Sequence, residues 1–247
     1  MTNILLVHGA MHGAWCWEQV APLLSGMGHV VRAIDLPGLG DDRTPADSVT
    51  ADDWAAAVAN AVRAMDRPAV LVGHSLGGTA ISQGAERVAD QVCGLIFVSA
   101  ILIEAGETMI SACPEVMQIA EQAARQCPGD PAAVALRLFY GSTDPAVAAA
   151  AIARLRTQPS AVVTSPLQVT AERFGRISRA YIECADDGVV PIALQRRMQA
   201  RLPCHPVVTM RCDHSPFLSA PRLLAAHLDA IARGFAAASK ISTATMA

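Results

Sequence analysis

Short β-branched or leucine-rich runs alternate along the chain with longer alanine-rich segments whose apolar positions recur at helical spacing. The runs predict strands at Ile4–Val7, Val30–Ile34, Ala69–Val72, Gly94–Val98, Arg179–Glu183 and Pro206–Met210. Between them, the periodic segments predict helices at Trp15–Leu24, Ala51–Met65, Leu76–Val88, Ile192–Arg201 and Pro221–Ala237. Strand and helix in regular alternation are the pattern of an α/β fold, here a mostly parallel, doubly wound sheet with helices on both faces.

One interval breaks the rhythm. From 104 to 176 there is no convincing strand, only helical pieces such as Pro131–Phe139 and Asp144–Leu155. Compact domains do not carry structureless loops of that length. The interval is therefore read as a helical cap inserted over the carboxyl edge of the sheet. Asp144 followed by Pro145 fits a helix start, a side-chain cap before a first-turn proline. At about 150 residues per domain, the chain accommodates a single domain over 1–247 with the 104–176 cap inside it. A Ser/Thr-containing tail after Ser239 is expected to fray.

Composition narrows the function classes. Hydrophobic residues make up 52% of the chain and charged residues 17%, enough apolar side chain for a core and too much for disorder. No apolar run approaches the 18 or so residues of a membrane span, and the N-terminus lacks the basic start of a signal peptide. With 19 basic against 22 acidic residues, and Lys240 the only lysine, no basic field for nucleic acid exists. Seven scattered cysteines without a Cys-x-x-Cys read as small buried hydrophobes in a reducing compartment, the cytoplasm.

The chemistry concentrates at Val70-Leu71-Val72-Gly73-His74-Ser75-Leu76-Gly77-Gly78, a G-x-S-x-G placed between a strand and a helix. On that sharp turn the serine is held in a strained conformation, and side chains at Gly73 or Gly77 would collide with neighbouring chain. The helix that follows aims its free N–H groups and positive dipole end at the place where an oxyanion would form. Serine alone is a weak nucleophile, so a histidine base and an orienting acid are required. His8, His12 and His29 precede the nucleophile, His74 points away within the elbow, His227 is mid-helix, and His205 lies at the wrong end of the sheet. His214 alone follows the last strand at the carboxyl edge. For the acid, Asp213 is too close to His214 to reach back, and Asp130 and Asp144 belong to the cap. Asp186 and Asp187, directly after the fifth strand, stay open.

Five segments carry a family resemblance: Val7–Trp17, Gly28–Leu36, Gly73–Gly78, Tyr181–Pro191 and Asp213-His214-Ser215. Together they resemble the hydroxynitrile lyase and plant methylesterase branch of the α/β-hydrolase superfamily, with its bacterial carboxylesterase relatives. The resemblance implies a serine esterase in which Ser75 attacks, His214 shuttles the proton and Asp187 holds His214. It prefers Asp187 over Asp186 because the family's acid is followed by three residues and a proline, here Gly188-Val189-Val190-Pro191. It also implies an oxyanion hole formed by the backbone N–H groups of Ala10 and Leu76, each such donor contributing roughly 3 kcal/mol of transition-state stabilisation. Many lyases of this branch are expected to carry a lysine after the histidine and a threonine where Ala10 stands, and a second group an asparagine in place of Ala10. This chain has Ser215 and Ala10 there, which disfavours cyanohydrin cleavage.

Other residues read more blandly. Asp35 is a loop-organising carboxylate, since no G-x-G-x-x-G follows the first strand. Trp15 and Trp17 are core anchors, and Cys204, His205, Cys212, Asp213 and His214 match no zinc spacing. Phe139, Tyr140, Leu102, Met109 and Met117 are the candidates to line a pocket. The expected activity is hydrolysis of small, largely apolar esters through an acyl-enzyme, with no cofactor or metal. A lactonase, an amide hydrolase and a receptor with little turnover share the constellation. Cap or edge helices leave room for a homodimer that nothing in the pattern demands.

Overall fold

The computed structural model describes residues 1–245. Six strands, β1 (Asn3–Val7), β2 (Val30–Ile34), β3 (Ala69–His74), β4 (Val92–Val98), β5 (Arg179–Cys184) and β6 (Val207–Met210), form one sheet in the order β2-β1-β3-β4-β5-β6. Every neighbouring pair is parallel. Burial explains why the strands read as they do. β1 and β3 are covered on both faces and are continuous apolar runs, while β2 and β6 at the edges expose alternate residues such as Val30 and Val207.

Side chains alternate between two cores. Ile4, Leu6, Val70, Val72, Ile96 and Val98 face α1 (Val20–Gly26) and α11 (Pro221–Thr245). Leu5, Val7, Leu71, Leu95 and Phe97 face α2 (Ala51–Arg63), α3 (Gly77–Arg87) and α9 (Ile192–Arg201).

Between β4 and β5 the chain runs through α4 (Met109–Ala112), α5 (Pro114–Gln126), α6 (Pro131–Phe139), α7 (Pro145–Ile152) and α8 (Ser160–Thr164), then a short 3-10 turn at Phe174–Arg176. Leu138, Phe139, Ala148 and Val162 from this insertion join the core on the α2/α3 face. Asp130 and Asp144 cap α6 and α7, each followed by a first-turn proline, as the Asp144-Pro145 pair predicts.

Two boundaries differ from the sequence reading. The helix expected over Trp15–Leu24 is a 3-10 turn at Ala14–Trp17 followed by a separate α1. Pro22 is the reason: in one continuous helix it would sit in the interior, whereas a fresh start at Val20 places it in the first turn, where no N–H is needed. At the other end, α11 continues to Thr245 through the stretch expected to fray, which contains no glycine or proline to stop it. The last two positions of that tail lie outside the described residues.

The strand order positions the site. From β1 the chain moves outward to β2, then returns to place β3 on the opposite side of β1. The loops leaving the carboxyl ends of β1 and β3 therefore diverge, which is where open α/β sheets form their binding crevice. α10 (Pro216–Ser219) follows the β6 loop at the same edge.

Candidate active site

Ser75 sits between the end of β3 and the start of α3 at a φ of 51°, a left-handed conformation that L residues rarely adopt. It is imposed from both sides. The Ser75 N–H donates to Val98 O at 3.2 Å, and its carbonyl accepts from Gly78 N at 3.0 Å and Ile101 N at 2.9 Å. A Cβ at Gly77 would lie 2.4 Å from the carbonyl oxygen of His8, and one at Gly73 would lie 2.8 Å from that of Gly77. The elbow thus needs both glycines, as its sequence implies. Leu76 occupies the N-cap of α3, so the residue after the serine lies at the positive end of that helix.

The loops after β5 and β6 bring Asp187 and His214 together. His214 Nδ1 lies 2.6 Å from Asp187 Oδ2, and both side chains are buried. Asp187 Oδ1 accepts from the backbone N–H groups of Val189 and Val190, each at 2.7 Å. Its Oδ2 also accepts from the hydroxyl of Ser99, at the end of β4. Four donors fix this carboxylate, and its acceptance fixes the proton of His214 on Nδ1, which leaves Nε2 as an acceptor. Asp186 is exposed, and its backbone N–H pairs with Cys212 O at 3.1 Å. Of the two aspartates that residue order left open, the structure brings Asp187 to the histidine. Ser75 retains 8% exposure and His214 1%, so both lie beneath the surface.

Asp213 organises the loop after β6. One oxygen accepts from Ser215 N at 3.1 Å and Ser219 Oγ at 2.7 Å; the other accepts from Ser142 N at 3.0 Å and Thr143 Oγ1 at 2.8 Å, stapling the insertion beside His214. Asp35 accepts from Ala14 N at 2.6 Å and Asp41 N at 3.1 Å, the loop-organising role its position suggests. Of the aromatic candidates, Phe139 places its ring 5.8 Å from that of His214, Tyr140 is buried against His12, and Met117 is exposed.

Sequence reasoning passed over three histidines that gather here. His74 lies against His214, ring centres 4.6 Å apart, and its Nε2 donates to the His214 carbonyl at 2.7 Å. The His12 ring lies edge-on to it, ring centres 6.2 Å apart, His8 is close enough to act on it electrostatically, and Phe217 meets the rings of His12 and His74. The only local signal for them is their place beside the elbow and the first-strand loop. Among the described residues no group of three or more His, Cys, Asp or Glu side chains could hold a metal ion. No helix among them is long and apolar enough to cross a membrane.

Burial pushes the His8 imidazole down to about 4 and that of His12 to about 3, and holds His74 well below its ordinary range. An unfolded chain protonates such rings near pH 6.5, while in the folded protein His8 and His12 resist until pH 3–4. Unfolding therefore takes up protons, and stability falls as pH drops through 6.5, levelling only below the folded values. At pH 5, His8 and His12 should each lower the unfolding free energy by about 2 kcal/mol relative to pH 7.5 or above. Urea unfolding at pH 7.5 and pH 5 measures this; equal stability at both would show that these rings ionise inside the folded protein.

The family model described as the alpha/beta hydrolase family matches residues 4–227. The chain belongs to that family. It is 30% identical over 259 residues to Methylesterase 2 of Arabidopsis thaliana, covering 94% of this chain and 97% of the relative. It is 31% identical over 252 residues to a pyrethroid hydrolase of Sphingobium wenxiniae, covering 91% of this chain and 85% of the relative. A crystal structure of a pyrethroid hydrolase superposes with a TM-score of 0.79 at 28% identity, covering 94% of this hydrolase and 98% of that chain. These relatives fall in the branch that the five sequence segments resemble.

Proposed function

We propose that this carboxylic-ester hydrolase works through an acyl-enzyme on Ser75, with His214 as base and Asp187 as the acid that orients it. The observation that carries the reading is the buried Asp187–His214 pair at 2.6 Å, beside the strained serine elbow, whose His74 ring lies 4.6 Å from that of His214. In the first half-reaction Ser75 Oγ attacks the ester carbonyl and gives its proton to Nε2 of His214. The oxyanion that forms meets the N–H groups of Ala10 and Leu76. Collapse expels the alcohol, which takes the proton from His214. Water, deprotonated by the same Nε2, then attacks the acyl carbon and releases the carboxylic acid and free Ser75.

The helices of residues 104–176 act as the cap of a single domain. Supporting this, Gly188 in the acid loop packs so closely on α6 that a Cβ there would lie 3.0 Å from Arg137 O and 3.1 Å from Leu138 O. The rings of Phe139 and Tyr140 give the cap an apolar underside, which favours a small, largely apolar ester. The names of the relatives, a methylesterase and a pyrethroid hydrolase, agree with ester substrates. Seven cysteines, all free, support a reducing compartment, the cytoplasm.

Turnover of p-nitrophenyl acetate and butyrate, with mandelonitrile as a control, tests the reading. Steady ester turnover with no cyanide release is expected, because Ser215 stands where many lyases of this branch carry lysine, and Ala10 where they carry threonine or asparagine. Cyanide release would identify a lyase, and acylation without turnover would identify a receptor-like protein.

A further inference from the structure

Both polar atoms of the peptide unit between Ala10 and Met11 are held, and each hold leads to the cap. The carbonyl of Ala10 pairs with Nδ1 of His12 at 2.8 Å. A carbonyl can only accept, so Nδ1 carries the ring proton. Nε2 is then an acceptor, and the hydroxyl of Tyr140, 2.8 Å away, donates to it. The low proton affinity of the buried His12 ring agrees with this neutral form. At the other end of the same peptide unit, Met11 N–H donates to Oε1 of Gln158 at 3.0 Å. Met11 itself has a φ of 64°, a conformation that costs a residue with a Cβ about 1–2 kcal/mol. Its carbonyl accepts from Arg156 N at 2.9 Å.

Tyr140 follows the last residue of α6, and Gln158 lies between α7 and α8. They are 128 and 147 residues from the loop atoms they hold. Neither bond is needed to close the sheet or shape the elbow. What they fix is the one peptide adjoining Ala10, whose own N–H lies on the preceding unit.

We propose that Tyr140, acting through His12, and Gln158 are positioning residues that let the cap set the orientation of the oxyanion-hole donor at Ala10. The inference rests on reading the Ala10 N–H as one of the two oxyanion donors. The physical argument is one of preorganisation. A backbone donor stabilises developing charge only when already aimed at it, and complete loss of such a donor typically costs about 10²–10³ in kcat. A donor that is present but free to swing forfeits part of that. The ester carbonyl of the ground state does not yet occupy the oxyanion position, so binding is little affected.

The test compares Tyr140→Phe and Gln158→Met with wild type and with Ser75→Ala, on p-nitrophenyl butyrate. Both variants are close in shape to the residue they replace, and Gln158 is only half-buried, so it carries the test if Tyr140→Phe does not fold. Each variant is expected to lower kcat about 10-fold or more with KM within about two-fold. The inhibition constant of a trifluoromethyl ketone, whose adduct with the serine places an oxyanion in the hole, should rise by the same factor. Gln158→Glu, which keeps an acceptor for Met11 N–H, should recover most of the loss. Wild-type kcat in folded Tyr140→Phe and Gln158→Met, beside an inactive Ser75→Ala, would overturn the positioning role while leaving the triad standing. A raised KM with intact kcat would overturn it too, making these residues part of the substrate wall. Absence of Ser75-dependent turnover in the wild type would mean instead that the reading of the site had failed, and the clamp with it.

Discussion

Asp187→Asn should lower kcat for a p-nitrophenyl ester about 10⁴-fold, whereas Asp186→Asn should change it by less than about two-fold. The difference follows from what surrounds each carboxylate. Asp187 accepts from Val189 N, Val190 N and Ser99 Oγ as well as from His214. An asparagine must turn its oxygen toward the two backbone donors, because its NH₂ group cannot face them. The NH₂ then confronts Nδ1 of His214, forcing that atom to become the acceptor and moving the proton to Nε2. A histidine protonated at Nε2 cannot take the proton of Ser75. Ten-thousand-fold corresponds to about 5 kcal/mol of transition-state stabilisation. Asp186 is exposed and holds its place through its backbone N–H, so its side chain has no such leverage. Kinetics of the two variants, beside circular dichroism to show that both fold, measure the contrast. Equal losses, or the reverse order, would mean that another carboxylate orients the base.

Ser75→Ala should remove more, about 10⁶-fold in kcat, down to the residual rate that an oxyanion hole and binding provide alone. Deleting Oγ leaves the backbone of the elbow intact. The Ser75 main-chain bonds to Val98, Gly78 and Ile101 do not depend on the hydroxyl. Alanine and serine also bear a similar penalty at a φ of 51°. The variant should therefore unfold within about 0.5 kcal/mol of the wild type in urea. It should still bind a product carboxylate. A Ser75→Ala protein that hydrolyses esters near the wild-type rate would remove the serine from the mechanism.

The parts of the molecule that were legible in the sequence are those whose constraints are local. Strands β1 and β3 announce themselves because burial on both faces demands unbroken apolar runs. The elbow does so because a serine at positive φ, pressed between neighbouring chain, demands glycines two residues to either side. Helices α6 and α7 carry aspartate caps and first-turn prolines, and both are readable. α4 and α8 are too short for a helical period to register, and α5 buries little beyond Ala123. The acid could be narrowed to two neighbours by its place after β5. Choosing between them required either a family pattern or the geometry of the loop.

The contacts that complete the site leave no local mark. Ser99 meets Asp187 across 88 positions, His74 meets the His214 backbone across 140, and Tyr140 meets His12 across 128. Each partner is an ordinary polar residue with no distinctive spacing. Only the strand order and the tertiary packing of the segment between β4 and β5 bring them together. Sequence position alone gives His12 and His74 no role, although the His74 ring lies against that of His214 and His12 lies against His74 in turn.

The central claim is an acyl-enzyme on Ser75. Its most direct measurement is rapid acid quenching of the protein during turnover of p-nitrophenyl butyrate, followed by peptide mass spectrometry. A butyryl group on the peptide containing Gly73–Gly78, located at Ser75 and absent from Ser75→Ala, is the predicted result. Turnover with no acyl group on that peptide, or with the group on another residue, would contradict it.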